Sequence, residues 1–250
     1  MSGAPALSVL ERDAHLVVRA LDLERDRRLL SGLGLSVPRG AFLAVVGPSG
    51  AGKSSLLACL AGRLAPAAGV VGYAGAGGVL RPPAELRGRI GLVFQDHRLV
   101  PTASLLDNVL CGRLGRRPWW ATAPGLPRSG RAEARALLAA LGVEDLAARW
   151  TAEVSGGEQQ RVALARALFL EPEVVLADEP VSALDPELAR HALIVLRREA
   201  RRLRATVVCV LHDPPLVEEF ADLLLEIDPR LPAGFRLSRV DARPSRELRA

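Results

Sequence analysis

Lys53 is the only lysine in this chain of 250 residues; every other basic residue among the 33 Lys and Arg is an arginine. It follows Gly47, Pro48, Ser49, Gly50, Ala51 and Gly52 and precedes Ser54, which fits the phosphate-binding pattern G-x-x-x-x-G-K-[ST]. Average residue usage would produce this pattern by chance on the order of once per hundred chains of this length. Glycines in such a loop let backbone N–H groups approach phosphate oxygens. The helix that follows adds amide donors and the positive end of its dipole. In this pattern the lysine reaches the β- and γ-phosphates and the serine hydroxyl ligates Mg²⁺. A planar guanidinium does not replace a compact ammonium here, which accounts for a lysine surviving where arginine has taken every other basic position.

Two further groups of residues carry chemistry. Asp178 and Glu179 follow the apolar run Val174–Ala177, and an aspartate ending a parallel strand is where a P-loop fold places its Mg²⁺-organising carboxylate. A carboxylate beside it can orient and activate a water for attack on the γ-phosphate. Between these motifs, Val154 and Ser155 precede Gly156, Gly157 and Glu158 at the head of a helical pattern with Val162, Ala165, Leu168 and Phe169 as apolar positions. Ser155 suits an N-cap, and two glycines before a helix make a second amide-rich anion site. One phosphate loop and a second anion-binding helix tip in one chain point to two nucleotides held between two copies.

The elements that must position these residues are legible around them. Phe42–Val46 reads as a buried strand leading into the loop, and residues 54–64 as a helix with Leu56, Leu57, Leu60 and Leu64 on its apolar side. Strand and helix patterns alternate over residues 154–228, which predicts a largely parallel sheet. The fold class is α/β: a P-loop core with an N-terminal antiparallel β part and an inserted helical lobe at about residues 96–153. A single domain spans residues 7–228, and the short Pro/Arg-rich stretch 229–250 is expected to be a tail. The glycines of residues 69–78 read as a turn region without the G-x-G-x-x-G spacing of a dinucleotide site.

At residues 154–158 the sequence resembles the ABC ATPase family, whose signature is of the type Leu-Ser-Gly-Gly-Gln; Val154 stands for the leucine and Glu158 for the glutamine. The resemblance covers roughly residues 15–230 and implies roles for further positions. Gln95, after the strand-like Ile90–Val93 and Phe94, matches the glutamine that contacts Mg²⁺ and the attacking water. Asp185 matches the aspartate of the loop that crosses between subunits, and His212 the histidine that touches the γ-phosphate. Residues 47–55, Ser55 included, would then bind ATP, with Ser54, Gln95 and Asp178 at Mg²⁺. Ser155, Gly156, Gly157 and Glu158 of a second copy would close over the same nucleotide, so the resemblance implies a homodimer. One position departs from the pattern: no aromatic residue stands between His15 and Phe42 to stack on adenine. Arg25 and Arg27 read either as guanidinium planes against the base or as solvated loop arginines.

Within the helical lobe, Leu99 to Leu110 followed by Gly112, Arg113, Leu114, Gly115 and Arg116 resembles the ATP-binding subunits of phosphonate importers. That resemblance implies a membrane permease and, through it, a solute-binding protein as partners, and a place on the cytoplasmic face of the cell membrane. Trp119 and Trp120 in an arginine-rich loop suit a partner surface or lipid headgroups, or else they pack the insertion. Asp213 stands where importers of this group tend to carry glutamine.

Composition narrows the classes. Hydrophobic residues make up 49% and charged residues 24%, an ordinary globular balance. No apolar run approaches the roughly 18 residues of a membrane span. Cys59, Cys111 and Cys209 are too far apart for metal-like spacing and read as reduced thiols. The net charge of +5 reflects arginine-rich composition, and the arginines of residues 197–204 read as the solvated face of a helix. No nucleic-acid partner is expected.

Overall fold

The computed structural model describes residues 14–25, 28–75, 79–116 and 129–240. Trp119, Trp120 and Arg27 lie outside the described residues. Two sheets form the frame. The first is antiparallel, in the order β2-β1-β4-β5, from β1 (Ala14–Glu24), β2 (Arg28–Pro38), β4 (Ala68–Ala74) and β5 (Leu80–Arg81). The second has the order β10-β9-β3-β8-β7-β6, from β3 (Phe42–Val46), β6 (Ile90–Val93), β7 (Val174–Ala177), β8 (Thr206–Val210), β9 (Leu223–Ile227) and β10 (Phe235–Arg239). All its pairs are parallel except β10 with β9.

Both faces of the inner strands β3, β7 and β8 are covered, so these are apolar almost throughout, whereas β9 alternates and the edge strand β10 carries arginines. Phe42, Ala44, Val175, Ala177, Val207 and Cys209 enter one core. Their strand neighbours Leu43, Val45, Val174, Leu176, Val208 and Val210 enter the other. The first core lies under α2 (Leu105–Leu110), α3 (Arg131–Ala140), α4 (Gly156–Phe169), α5 (Pro186–Leu203) and α6 (Pro214–Phe220). The second lies between the central sheet, α1 (Lys53–Leu60) and the antiparallel sheet. Each fully buried leucine or valine of these cores contributes roughly 1.5–3 kcal/mol relative to exposure. Polar bonds join the layers: His15 Nδ1 lies 2.8 Å from Thr206 Oγ1, and Tyr73 donates to the Leu60 carbonyl at 2.8 Å.

Three sequence expectations need correction. The helix after the phosphate loop ends at Leu60, not Leu64, because Gly62 adopts φ 66° and the chain turns as Arg63 N–H bonds back to the Ala58 carbonyl. Gly69 to Ala74 belong to β4 rather than to a turn. Gly69 is there for close approach, since a Cβ at its φ of 86° would stand 2.3 Å from the Ala20 carbonyl oxygen where the β1–β4 register shifts. Past residue 228, Phe235–Arg239 adds β10 to the sheet, with Phe235 and Leu237 packed against the second core.

Most arginines of α5 are exposed, Arg197 is largely buried over Phe42, and several meet carboxylates. Arg197 bonds Asp222 at 2.7 Å, Arg202 bonds Glu199 at 2.8 Å, and Arg190 bonds Glu219. Cys59 and Cys209 are buried, Cys111 is half-buried, and all three are free thiols. Among the described residues no helix is long and apolar enough to cross a membrane.

Candidate functional site

Adjacent parallel strands put their C-terminal ends side by side, and ligand crevices of open α/β sheets form there. In the order β3-β8-β7-β6, those ends lead into the phosphate loop, His212, Asp178–Glu179 and Gln95. Four motifs far apart in sequence therefore line one edge of the sheet.

The loop between β3 and α1 is shaped for close backbone approach. A Cβ on Gly47, φ 151°, would overlap the Ile227 carbonyl oxygen at 2.1 Å. Gly50 and Gly52 take φ of 74° and 100°, and a Cβ on Gly52 would press on Leu29 at 3.1 Å. Helix α1 starts with no side chain accepting from its first turn and no acidic residue in it. Lys53 is buried, and its Nζ donates to the carbonyls of Gly47 at 2.8 Å and Pro48 at 2.9 Å. An ammonium has three donors. Two bend the lysine back over its own loop, and a third remains to meet an anion. A helix start without a side-chain cap, a buried cation and room only for glycine make a cradle that fits a phosphate chain.

Across the sheet edge, Asp178 continues the ladder, its N–H donating to the Val93 carbonyl at 2.9 Å. Glu179 breaks it with φ 51°, a left-handed conformation that costs a non-glycine residue of order 1 kcal/mol. The turn swings the Glu179 carboxylate toward β8, where Oε1 stands 2.7 Å from His212 Nε2. Burial, helped by the neighbouring Asp178 carboxylate, pushes the Cys209 thiol well above its usual range, so it stays protonated. A cleft of about 400 Å³ runs beside α1, and Ser54, Ser55, Asp178, Phe94, Arg25 and Arg98 are among its walls. Gln95 is exposed just beyond β6, next to His97 and Arg98 at φ 55° and 48°. Arg25 thus lies within reach of the loop side of the cleft, while Leu23 is buried in the β core.

The tip of α4 is capped differently. Ser155 Oγ accepts from the Glu158 N–H at 3.3 Å, and the Glu158 carboxylate accepts from the Ser155 N–H at 2.7 Å and its hydroxyl at 2.8 Å. These bonds hold the Glu158 carboxyl below its usual range. Ser155 and Gly156 are exposed. Asp185 caps α5, its Oδ1 accepting from the Leu188 N–H at 2.9 Å. Within one copy, therefore, Lys53, Ser54, Asp178, Glu179 and His212 share the sheet edge, whereas Ser155–Gly157 and Asp185 belong to helix tips.

Sequence reasoning missed two residues. Gln160 is almost wholly buried and bonds both ends of the turn that starts at Glu179. Its signal was a polar side chain in helical register with the buried Leu164 and Ala167. Arg166 of the same helix donates to the carbonyls of His97 at 2.7 Å and Arg98 at 2.6 Å, tying the loop after Gln95 to α4.

The sheet order, the glycine cradle and the strand-ending carboxylates define a P-loop NTPase core. Residues 30–182 match the ABC transporter family, and the chain belongs to it. A phosphonates import ATP-binding protein from Trichormus variabilis is 38% identical over 203 residues, covering 81% of this chain and 83% of that one. A hypophosphite import ATP-binding protein from Stutzerimonas stutzeri is 40% identical, covering 87% and 67%. An aliphatic sulfonates import ATP-binding protein from Rhodococcus jostii is 42% identical, covering 81% and 74%. Among solved structures, a dimeric ATP-binding cassette in a post-hydrolysis state with ADP and Pi superposes with a TM-score of 0.70. It is 26% identical, covering 90% of this chain and 98% of that one.

Proposed function

We propose that this chain is the ATP-hydrolysing subunit of an ABC importer that powers uptake of a phosphonate, or a related phosphorus oxyanion, through a membrane permease. One observation carries the hydrolytic part: Glu179 is turned out of its strand onto His212 at 2.7 Å, beside the cradle around Lys53. In this reading the third donor of Lys53 meets the β- and γ-phosphates while the other two stay on its own loop, and the loop amides and the start of α1 hold the remaining oxygens. Ser54, Asp178 and Gln95 would hold Mg²⁺, which supplies positive charge to the phosphate oxygens when bound. Glu179 accepts a proton from the attacking water, and His212 steadies the Glu179 carboxylate and meets the γ-phosphate. The first turn of α4 from a second copy, Ser155 to Glu158, closes over the same nucleotide, with Asp185 at the crossing. Two copies related by a two-fold axis complete two sites. The permease would hold the subunit at the cytoplasmic face of the membrane.

The solute reading is supported by two relatives named for phosphorus oxyanions. The relative named for sulfonates favours a second solute of the same tetrahedral oxyanion chemistry. ATP-driven uptake in vesicles containing the permease and binding protein separates them: phosphonate uptake with sulfonate excluded supports the first, the reverse selects the second.

The hydrolytic reading is tested at Glu179. Glu179→Gln keeps size and hydrogen bonding but removes the charge that draws the water's proton. Hydrolysis should fall by roughly two to four orders of magnitude. ATP binding should persist, and trapped nucleotide should hold the closed dimer by mass action. Sizing chromatography with and without ATP and Mg²⁺ would reveal that dimer. Hydrolysis at the wild-type rate would remove Glu179 from the reaction.

A further inference from the structure

Gln160 lies little more than one helical turn inside the exposed tip of α4, yet its side chain is 1% exposed. It leaves its own helix to hold the turn that follows β7. Its Nε2 donates to the Glu179 carbonyl at 2.8 Å and approaches Ser182 Oγ at 3.3 Å. Its Oε1 accepts from the Ala183 N–H at 3.0 Å. The partners, a carbonyl on one side and an N–H on the other, leave the amide one orientation. The two ends of one side chain therefore grip residues four apart. Ser182 completes the grip, with its N–H and hydroxyl donating to the same Glu179 carbonyl at 3.3 and 3.2 Å.

What the grip holds is a strained residue. Glu179 sits at φ 51°, and relaxing it toward the strand conformation would turn its carboxylate away from His212. A left-handed non-glycine backbone persists only where its surroundings over-determine it, and Gln160 makes two of the hydrogen bonds that do so here. The contact is close as well as polar. A Cβ on Gly157 would meet Leu184 Cδ2 at 3.0 Å and the Ala183 carbonyl oxygen at 3.2 Å, so the first turn of α4 and residues 183–184 fit with no room for a side chain between them.

We infer that Gln160 is a positioning residue for Glu179. It fixes the backbone turn that aims the carboxylate, and it makes that turn part of the same rigid unit as the tip of α4. This rests on the proposed hydrolytic role of Glu179. In a dimer closed over two nucleotides, the tip of α4 meets the nucleotide of the opposite copy, whereas Glu179 acts on its own. Gln160 then joins the two sites through one buried amide: a displacement of the tip moves the turn that holds Glu179.

The test is steady-state ATP hydrolysis by the full chain. Gln160→Met keeps length and burial and removes both hydrogen bonds. It should lower kcat by about tenfold, short of the roughly hundredfold that a 1 Å misplacement can cost. The KM for ATP should stay within about twofold, because the residue touches no part of the phosphate cradle. In a Glu179→Gln background the same change should lower the residual rate no further, as expected for two residues acting through one group. Ser182→Ala, at an exposed position, removes one donor to the same carbonyl and should show the same kcat-only pattern at about two- to threefold. It keeps the inference testable should Gln160→Met fail to fold. The inference is overturned by a wild-type kcat in folded Gln160→Met or, if that variant does not fold, in Ser182→Ala. It is equally overturned by a loss seen in KM alone, or by an undiminished loss in the Glu179→Gln background. Full hydrolysis by Glu179→Gln would instead overturn the hydrolytic reading on which it rests.

Discussion

Helix α1 follows Gly52 and helix α4 begins with Gly156 and Gly157, yet their first turns are built in opposite ways. At α1 a left-handed Gly52 precedes the helix, no side chain accepts from the first turn, and no acid stands in it. At α4 Ser155 and Glu158 close a reciprocal capping box, so the tip satisfies part of its own demand and carries a carboxylate at the positive end of its dipole. The first turn of α1 has no side-chain cap of its own, whereas the α4 tip carries both halves of a box. In the proposed function the first suits a resident nucleotide, and the second a contact made and released with each cycle.

The sharpest way to break the comparison is at Lys53. Lys53→Arg keeps the charge but cannot place a compact ammonium between the Gly47 and Pro48 carbonyls at 2.8 and 2.9 Å. Losing a charged hydrogen bond worth about 1.5–3 kcal/mol should weaken ATP binding or hydrolysis by roughly ten- to a hundredfold. Equilibrium binding of a fluorescent ATP analogue, alongside the hydrolysis rate, measures it. Unchanged values would mean that the α1 tip does not depend on its lysine.

Ser155→Ala should have a smaller effect and of another kind. Removing an N-cap costs typically about 1 kcal/mol of stability, visible as a shift in the urea midpoint. Nucleotide binding by the monomer should be unaffected, because Ser155 lies apart from the phosphate loop. A loss of monomer binding would place both tips at one nucleotide of the same copy, contrary to the division drawn here.

The smallest effect is expected at Glu158. Its carboxyl is held below the usual range by the Ser155 N–H and hydroxyl. A depressed carboxyl stabilises the fold above its unfolded pKa of about 4.3 and loses that contribution as pH falls through the folded value. The group is largely solvated, so the contribution is a few tenths of a kcal/mol. Glu158→Gln should therefore lower stability by that small amount at about pH 7 and by almost nothing at about pH 3, which slightly flattens the acid limb of the stability curve. Urea titrations at the two pH values check it, and an unaltered acid limb would mean that the box is already open in solution.

Much of this site was readable in sequence because its signals are local. The spacing of Gly47, Gly52, Lys53 and Ser54 announces a cradle, and an apolar run ending in Asp178 announces a strand end. The side-by-side placement of four loops follows from strand order, which no local pattern encodes. The apolar register runs on to Leu64, four residues past the end of α1, although Gly62 already marks the stop. Strand β10 was missed because five residues pairing with β9 lie among prolines and arginines that read as a tail. Gln160 was passed over because its partners are backbone groups of a distant turn, and a backbone partner leaves no complementary residue to find.

The solitary lysine has a consequence in reagent chemistry. Since the chain holds one side-chain amine, acylating or imine-forming reagents directed at lysine can label only Lys53, apart from any α-amino terminus. That amine is buried and donates to two carbonyls, so labelling would require the loop to release it first. A phosphate chain seated against it would occupy the same nitrogen. The molecule thus carries a one-site chemical record of whether its cradle is open, held shut by its own backbone, or filled.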